Sequence, residues 1–415
     1  MLNNYKNIYD IKFSSIFIGI GLFFLSIKGS DAVQIEAWLL EISLPEFFVK
    51  IKESGIILAI VTFFSVFVAK IFDVKSNTYS FKGVELSLVF FGVIILFVIR
   101  GVVESGDNDR IRWISAFLFN ILCFSVALLI MSDKSIYNAW LDLKNILRTW
   151  AVIFVFVNIA LYFGGYGFTD DGVRFYGCSG HPNFLGVCLA ICFLTFFLDE
   201  YEEYYLKVIR VVFLLSIAFL LFLSGSRTSW LMVLSGVLYY LSIEGYIKLP
   251  AMVFIAISSI FLLIYGGDIY NIVTGAADSY EERLLENTRS EAWDVLFTDW
   301  LKNPIFGVGV FSWASENSLL KSLAFGGALL GVPMLYLYIF LIYQIVRYVK
   351  FCRYSKSINL DNYSYGITIL ISIYVGSFFE GYLLELSGVW VVVTYVILII
   401  LGRTDREIYS NSLSE

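Results

Sequence analysis

Three arginines stand beside the apolar runs of this chain. Arg174 lies in Asp170-Asp171-Gly172-Val173-Arg174-Phe175-Tyr176-Gly177, Arg227 in Ser224-Gly225-Ser226-Arg227-Thr228-Ser229, and Arg289 in Thr288-Arg289-x-x-x-Trp293. One carboxylate, Glu316, follows in Glu316-Asn317-Ser318. A charge at a bilayer centre costs roughly 2.5–3.5 kcal/mol on insertion scales, and an anionic partner is its natural offset. Arginines at helix starts attract anions through both charge and free amides. Such a set suits a group transfer with an anionic leaving group. The cations would stabilise a departing diphosphate, and the carboxylate would take the proton of an attacking hydroxyl.

The elements that position these residues are apolar and long. The 415 residues are 59% hydrophobic and 18% aromatic, with mean hydropathy +0.79. That profile describes a polytopic α-helical membrane protein, with repeated runs long enough to span a bilayer. Apolar runs predict about twelve helices, near 12–28, 54–72, 83–100, 112–131, 147–165, 182–198, 208–224, 229–243, 249–266, 326–347, 363–380 and 386–402. The first run lacks a small-residue cleavage site and reads as a retained helix. The five cysteines form no CxxC and no disulfide framework. The net charge of −6 speaks against nucleic acid as a partner.

Lysine and arginine choose the orientation. Lys6 and Lys12, Lys70 to Lys82, Lys134 to Arg148, Lys207 and Arg210, Lys248, Arg347 to Lys356, and Arg403 and Arg406 fall in alternate segments. These segments are assigned to the cytoplasm, with both termini. The outward segments are then 29–53, 101–111, 166–181, the long stretch 267–317 between the ninth and tenth helices, and the turn Glu380–Glu385. The cytoplasmic links are short and no P-loop is present, which argues against ATP-driven transport. Nucleotide sugars are absent outside the membrane, so an activated glycosyl donor there must be lipid-linked.

The long outward stretch carries its own helix signals. Ser279-x-x-Glu282 and Thr288-x-x-Glu291 read as capping boxes. Leu285, Ala292, Trp293, Leu296, Phe297 and Trp300 fall near helical spacing. The second box predicts an amphipathic helix from Arg289 to before Pro304. It either presents Arg289 to an anion or lies on the lipid surface with Arg289 solvated. Gly307-Val308-Gly309 reads as a flexible re-entry into the bilayer or as a phosphate cradle. Glu316 is either a base or a helix-cap carboxylate. His181, the one histidine, precedes Pro182 at a helix start and reads as a cap or as a base. Asp107-Asn108-Asp109 has the DxD form that holds a metal and a nucleotide sugar, but outside the membrane it reads as a turn. No metal and no cofactor is expected. Tyr176, Trp293, Trp313 and Tyr382 could stack on sugars or belong to an interfacial aromatic belt. Glu380 and Glu385 could recognise an acceptor or form a solvated turn.

Taken in order, Arg174…His181-Pro182-Asn183, Ser224-Gly225-Ser226-Arg227-Thr228-Ser229, Arg289-x-x-x-Trp293, Pro304-Ile305-Phe306-Gly307-Val308-Gly309 and Glu316-Asn317-Ser318-Leu319-Leu320…Gly331 resemble the O-antigen polymerase/ligase superfamily (Wzy- and WaaL-type proteins). The motifs cover about 170–335, and the helix count agrees across the chain. The resemblance implies a GT-C-type, metal-independent glycosyltransferase of the bacterial plasma membrane, with its active site facing outward. Its substrates would be undecaprenyl-diphosphate-linked glycans as donor and acceptor, in O-antigen or capsule synthesis. A chain-length regulator and a flippase would be its partners in the bilayer. By motif match, Arg174, Arg227 and Arg289 would hold the donor diphosphate. Ligases of this superfamily carry histidine directly before the Asn that is Asn317 here. Glu316 in that position favours a polymerase and makes Glu316 the candidate base, with His181, Asn317, Tyr176 and Glu380 around the substrate.

Three rivals remain. A ligase would move finished glycan to lipid A core or another acceptor. A transferase using a polyprenyl monophosphate would place acid in the first outward loop, where Asp31 and Glu36 stand. A lipid-linked glycan flippase or other transporter would show internal repeats and charged mid-membrane helices, neither of which is evident.

Overall fold

The computed structural model describes residues 12–27, 44–73, 83–131, 135–169, 174–199, 203–243, 288–309, 317–352, 360–384 and 388–412. They form α1 (Phe13–Ile27), α2 (Glu46–Glu53), α3 (Gly55–Asp73), α4 (Glu85–Glu104), α5 (Asp107–Met131), α6 (Ile136–Phe163), α7 (Pro182–Phe197), α8 (Tyr204–Ser224), α9 (Arg227–Ile243), α10 (Thr288–Lys302), α11 (Ser318–Cys352), α12 (Leu360–Ser377) and α13 (Val389–Ser412). Strand-like pairing among the described residues is limited to one antiparallel bridge, Phe168 to Phe175. Six described helices are long and apolar enough to cross a membrane: 55–72, 85–104, 110–131, 136–163, 204–224 and 318–346. The architecture is that of an all-α integral membrane protein.

Each helix expected from hydropathy overlaps an observed one except the ninth, since 249–266 lies outside the described residues. The Ser279-x-x-Glu282 box lies outside them as well. The second box opens α10 at Thr288, as its spacing predicts. Several boundaries differ. Asp107-Asn108-Asp109, read as a turn, is the first turn of α5, and α13 runs on to Ser412 rather than ending near 402. The segment read as outward loop 29–53 contains α2. α6 begins at Ile136 rather than near 147, because Ser135 caps it by accepting from the Asn138 amide at 3.4 Å. Its polar first turns are kept at the membrane edge by Asp142, which takes the Lys12 ammonium at 2.8 Å and the Ser15 hydroxyl at 3.2 Å. α11 begins at Ser318 rather than near 326, and breaks internally.

Burial separates a central helix from a lipid-facing one. Along α7, Leu185 to Cys192 are closed off from the surface. α8 instead leaves Val208, Val211, Val212, Leu215, Phe219 and Phe222 exposed. In water such a patch would be a liability; in a bilayer it is the solvent-facing surface. Gly186 lets α9 approach α7 closely, since a Cβ there would stand 2.1 Å from Ser229 Oγ.

The end of the bundle that holds Lys12 and Asp142 is tied by buried polar pairs. Arg148 donates to both carboxylate oxygens of Asp199, at 2.5 and 2.7 Å. Gln344 and Tyr363 both donate to Asp405, at 2.6 and 2.7 Å. The opposite end carries the motif residues and is called the site end below.

The break in α11 falls at Gly327, with φ 58° and ψ −147°. Breaking a helix orphans carbonyls, and a lipid environment offers them no water. The loop 304–309 supplies the partners. Val308 N donates to Ala324 O at 2.7 Å and Gly309 N to Phe325 O at 3.2 Å, while Ala328 N donates to Pro304 O at 2.8 Å. A Cβ on Gly327 would lie 2.3 Å from Ile305 O. Gly327→Ala should therefore destabilise by about 1–3 kcal/mol from backbone strain alone, and the clash adds to it. A lower melting temperature of the detergent-purified variant is expected; an unchanged one would contradict this account of the break.

Candidate active site

Arg174 is held by the loop between α6 and α7. Thr169 N donates to Arg174 O at 2.9 Å, Arg174 N donates to Thr169 Oγ1 at 3.1 Å, and Tyr176 N donates to Gly167 O at 2.8 Å. The loop is pinned to the neighbouring helix by Phe175 N donating to Leu223 O at 3.0 Å. Its guanidinium then crosses to two elements. Nε donates to Ser224 O at 2.9 Å, and Nη2 donates to Asn183 Oδ1 at 2.9 Å. Ser224 ends α8, so its carbonyl belongs to the negative pole of that helix, where a cation is favoured.

The α8–α9 turn follows local rules. Gly225 adopts φ 59° as the left-handed cap of α8. Ser226 N donates to Ser224 Oγ at 3.3 Å, and Ser229 Oγ donates to Ser226 Oγ at 2.7 Å. Arg227 is thereby the first residue of α9. Beside it, Thr228 Oγ1 donates to Glu380 Oε1 at 3.3 Å, and the same oxygen accepts from Asn183 Nδ2 at 3.2 Å. One amide, Asn183, thus links Arg174 to Glu380.

The turn after α12 connects this group to α11. Ser318 Oγ donates to Glu380 O at 3.0 Å and accepts from Leu383 N at 3.2 Å. Asn317 adopts φ 67°, and its Oδ1 caps α11 by accepting from Leu319 N and Leu320 N at 3.0 Å each. α10 docks nearby, with the Trp293 ring 6.3 Å from Phe379, the residue before Glu380. Ala292 and Leu296 are buried on the same helix. Arg289 lies one turn before Trp293 in the first turn of α10.

The arrangement can hold an anion and orient a hydroxyl. Arg174 and the Glu380 carboxylate are linked through Asn183 where the ends of α7, α8, α9, α11 and α12 come together, with Arg227 opening α9. Glu316, immediately before Asn317, and Trp313 lie outside the described residues. Among the described residues no group of three or more His, Cys, Asp and Glu is clustered to hold a metal ion.

Residues 211–341 match the family model Wzy_C, described as O-antigen ligase. The match supports a likeness of this segment to the O-antigen ligase/polymerase superfamily. No curated protein matches the chain. The Wzy_C match holds Arg227, Arg289, Glu316 and Asn317, whereas Arg174, Asn183 and Glu380 lie outside it and reach it through the hydrogen bonds above. The match and the helical architecture support a membrane enzyme of O-antigen polymerase or ligase type.

Several sequence expectations need correction against this geometry. The amides of Val308 and Gly309 are committed to α11 carbonyls, so the glycine motif is a helix strap rather than a phosphate cradle. Tyr176 and Tyr382 are each 2% exposed, and Tyr382 Oη donates to Ile373 O with its ring 4.8 Å from Trp390. Neither ring offers a sugar an open face. Asn317 spends its carbonyl oxygen on the α11 cap. The cap reading of His181 holds: its Nδ1 accepts from Asn183 N at 3.1 Å, ahead of Pro182 in the first turn. Two groups escaped the sequence reading. Asn183 stands inside a quoted motif but is informative only when its two partners are known. Lys52 sits on an unforeseen helix, and burial lowers its pKa.

Burial, and secondarily the Arg174 charge, lowers the His181 pKa from 6.5 to about 4. A group so depressed is a poor base near neutral pH. The unfolded chain then binds this proton first as the medium is acidified, so stability should fall between about pH 6.5 and 4. His181→Asn retains a capping side chain and should flatten that fall in thermal scans. An identical acid dependence in both proteins would remove His181 as its source.

Proposed function

We propose that this chain is a polysaccharide polymerase. It moves a growing glycan from undecaprenyl diphosphate to the next undecaprenyl-diphosphate-linked repeat unit, on the outer face of a bacterial plasma membrane. The observation that carries the reading is the link from Arg174 through Asn183 to Glu380 and Thr228, next to Arg227 at the start of α9. Arg174 is directed by its bonds to Ser224 O and Asn183 Oδ1, so this cation is oriented before a ligand arrives. Preorganised charge of this kind is where transition-state stabilisation by electrostatics originates.

The step balances simply. The acceptor hydroxyl oxygen forms a bond to the anomeric carbon of the donor glycan as the carbon–oxygen bond to the diphosphate breaks. The hydroxyl proton passes to the Glu316 carboxylate. The departing diphosphate keeps the bonding electron pair and is held by Arg174, Arg227 and Arg289. One displacement inverts the anomeric centre. Glu380 orients the acceptor side through Asn183 and Thr228. The twelve-span count, the cytoplasmic termini and the GT-C architecture belong to the same reading, as do a chain-length regulator and a flippase as partners.

The description of the matched family favours a second reading, a ligase that attaches finished glycan to another acceptor. Glu316 in place of histidine weighs toward the polymerase. Arg227→Ala and Glu316→Ala should each leave single lipid-linked repeats and no long glycan on a gel, at normal protein level. Wild-type chain lengths in both variants would sink the mechanism. Full-length but unattached lipid-linked polymer would assign the chain to ligation instead.

A further inference from the structure

Lys52 is on the last turn of α2, just before Ser54 turns the chain into α3. Its Nζ reaches over Gly180, 2.2 Å from where a Cβ would stand on that residue. Gly180 has φ 72°. Glycine therefore serves twice there: it permits the turn and leaves room for the ammonium. The next residues are His181 and Pro182, which open α7, and Asn183, which holds Arg174. Lys52, from α2, and Arg174, from the α6–α7 loop, thus flank the same helix start.

The ammonium makes no hydrogen bond or ion pair with a described residue. On its own helix, Glu46 is taken by Lys50 at 2.9 Å. The group whose charge would act on it is Cys178, whose thiol burial pushes up to about 12, so it supplies no counter-charge at neutral pH. Burial also lowers the Lys52 pKa, the signature of an ammonium deprived of water without a matching anion. An unpaired, partly desolvated charge is costly for the fold. An anion bound beside it would offset that cost.

We infer that Lys52 is a further cation of the lipid diphosphate site, binding a phosphate group at the start of α7. Lysine suits this role as a compact point charge on a flexible stem, whereas Arg174 is committed in a fixed fork geometry. The inference rests on the polymerase or ligase reading only in its choice of a lipid diphosphate as the anion.

The test is calorimetric binding of a polyprenyl diphosphate to the detergent-purified full chain, compared for wild type, Lys52→Met, Lys52→Arg and Arg227→Ala. Lys52→Met should bind about tenfold more weakly, as expected for one lost charge-assisted contact, and Lys52→Arg should recover most of the affinity. The Lys52→Met protein should melt at or above the wild-type temperature, because it loses an unpaired buried charge. Wild-type affinity in Lys52→Met with weakened binding in Arg227→Ala would overturn the inference and leave the functional reading standing. Weaker binding accompanied by a lower melting temperature would overturn it in favour of a structural lysine. A wild-type protein that binds no polyprenyl diphosphate would remove both.

Discussion

Every backbone break within this bundle needs a partner for the groups it frees, and the partners build the site. In a lipid environment an unpaired carbonyl or amide has no water to turn to. α8 ends at Ser224, and Arg174 takes its carbonyl. α11 begins at Ser318, and Asn317 takes the first amides. α11 breaks at Gly327, and the strap 304–309 takes the freed carbonyls. Two of these three repairs use side chains from the candidate site. The third anchors the C-terminal end of the α10 segment against α11. The stability of the fold and the placement of the cations therefore share the same hydrogen bonds.

Charge distribution follows the same economy of placement. At one end of the bundle, acids and bases close into pairs, as Arg148 with Asp199 and Lys12 with Asp142. Their job is to tie helices together, and nearly complete burial of both aspartates makes them geometrically strict. At the site end, Arg174 binds two neutral oxygens, Ser224 O and Asn183 Oδ1. These fix the direction of the guanidinium. Glu380 in turn accepts from the neutral groups of Asn183 and Thr228, which fix its carboxylate. A cation and an anion are thus oriented through one bridging amide, a geometry suited to binding a ligand that carries both charge and hydroxyl groups.

Legibility in the sequence divided along physical lines. Hydropathy placed the helices because length and apolar run are local properties. The Thr288-x-x-Glu291 box placed α10, and Ser224-Gly225-Ser226 placed the α8–α9 turn, because caps and left-handed glycines act over a few residues. The sequence could not show that Val308 and Gly309 serve Ala324 and Phe325, since those partners exist only once α11 has broken. For the same reason Gly307-Val308-Gly309 looked like a phosphate loop. Tyr176 and Tyr382 looked like sugar platforms because burial is a tertiary property. Glu380 was noticed as a charge at a turn, but its link through Asn183 joins positions 197 residues apart.

Asn317 is the one non-glycine residue with positive φ among the described residues. A non-glycine residue with positive φ costs energy, and asparagine is among the few that tolerate it. Here the conformation lets the Asn317 side chain cap α11 while its neighbour Ser318 fastens to the Glu380 carbonyl. Asn317 and Ser318 thereby join the start of α11 to the Glu380 turn through neighbouring side chains, so the cap of one helix and the turn after another share a single anchor.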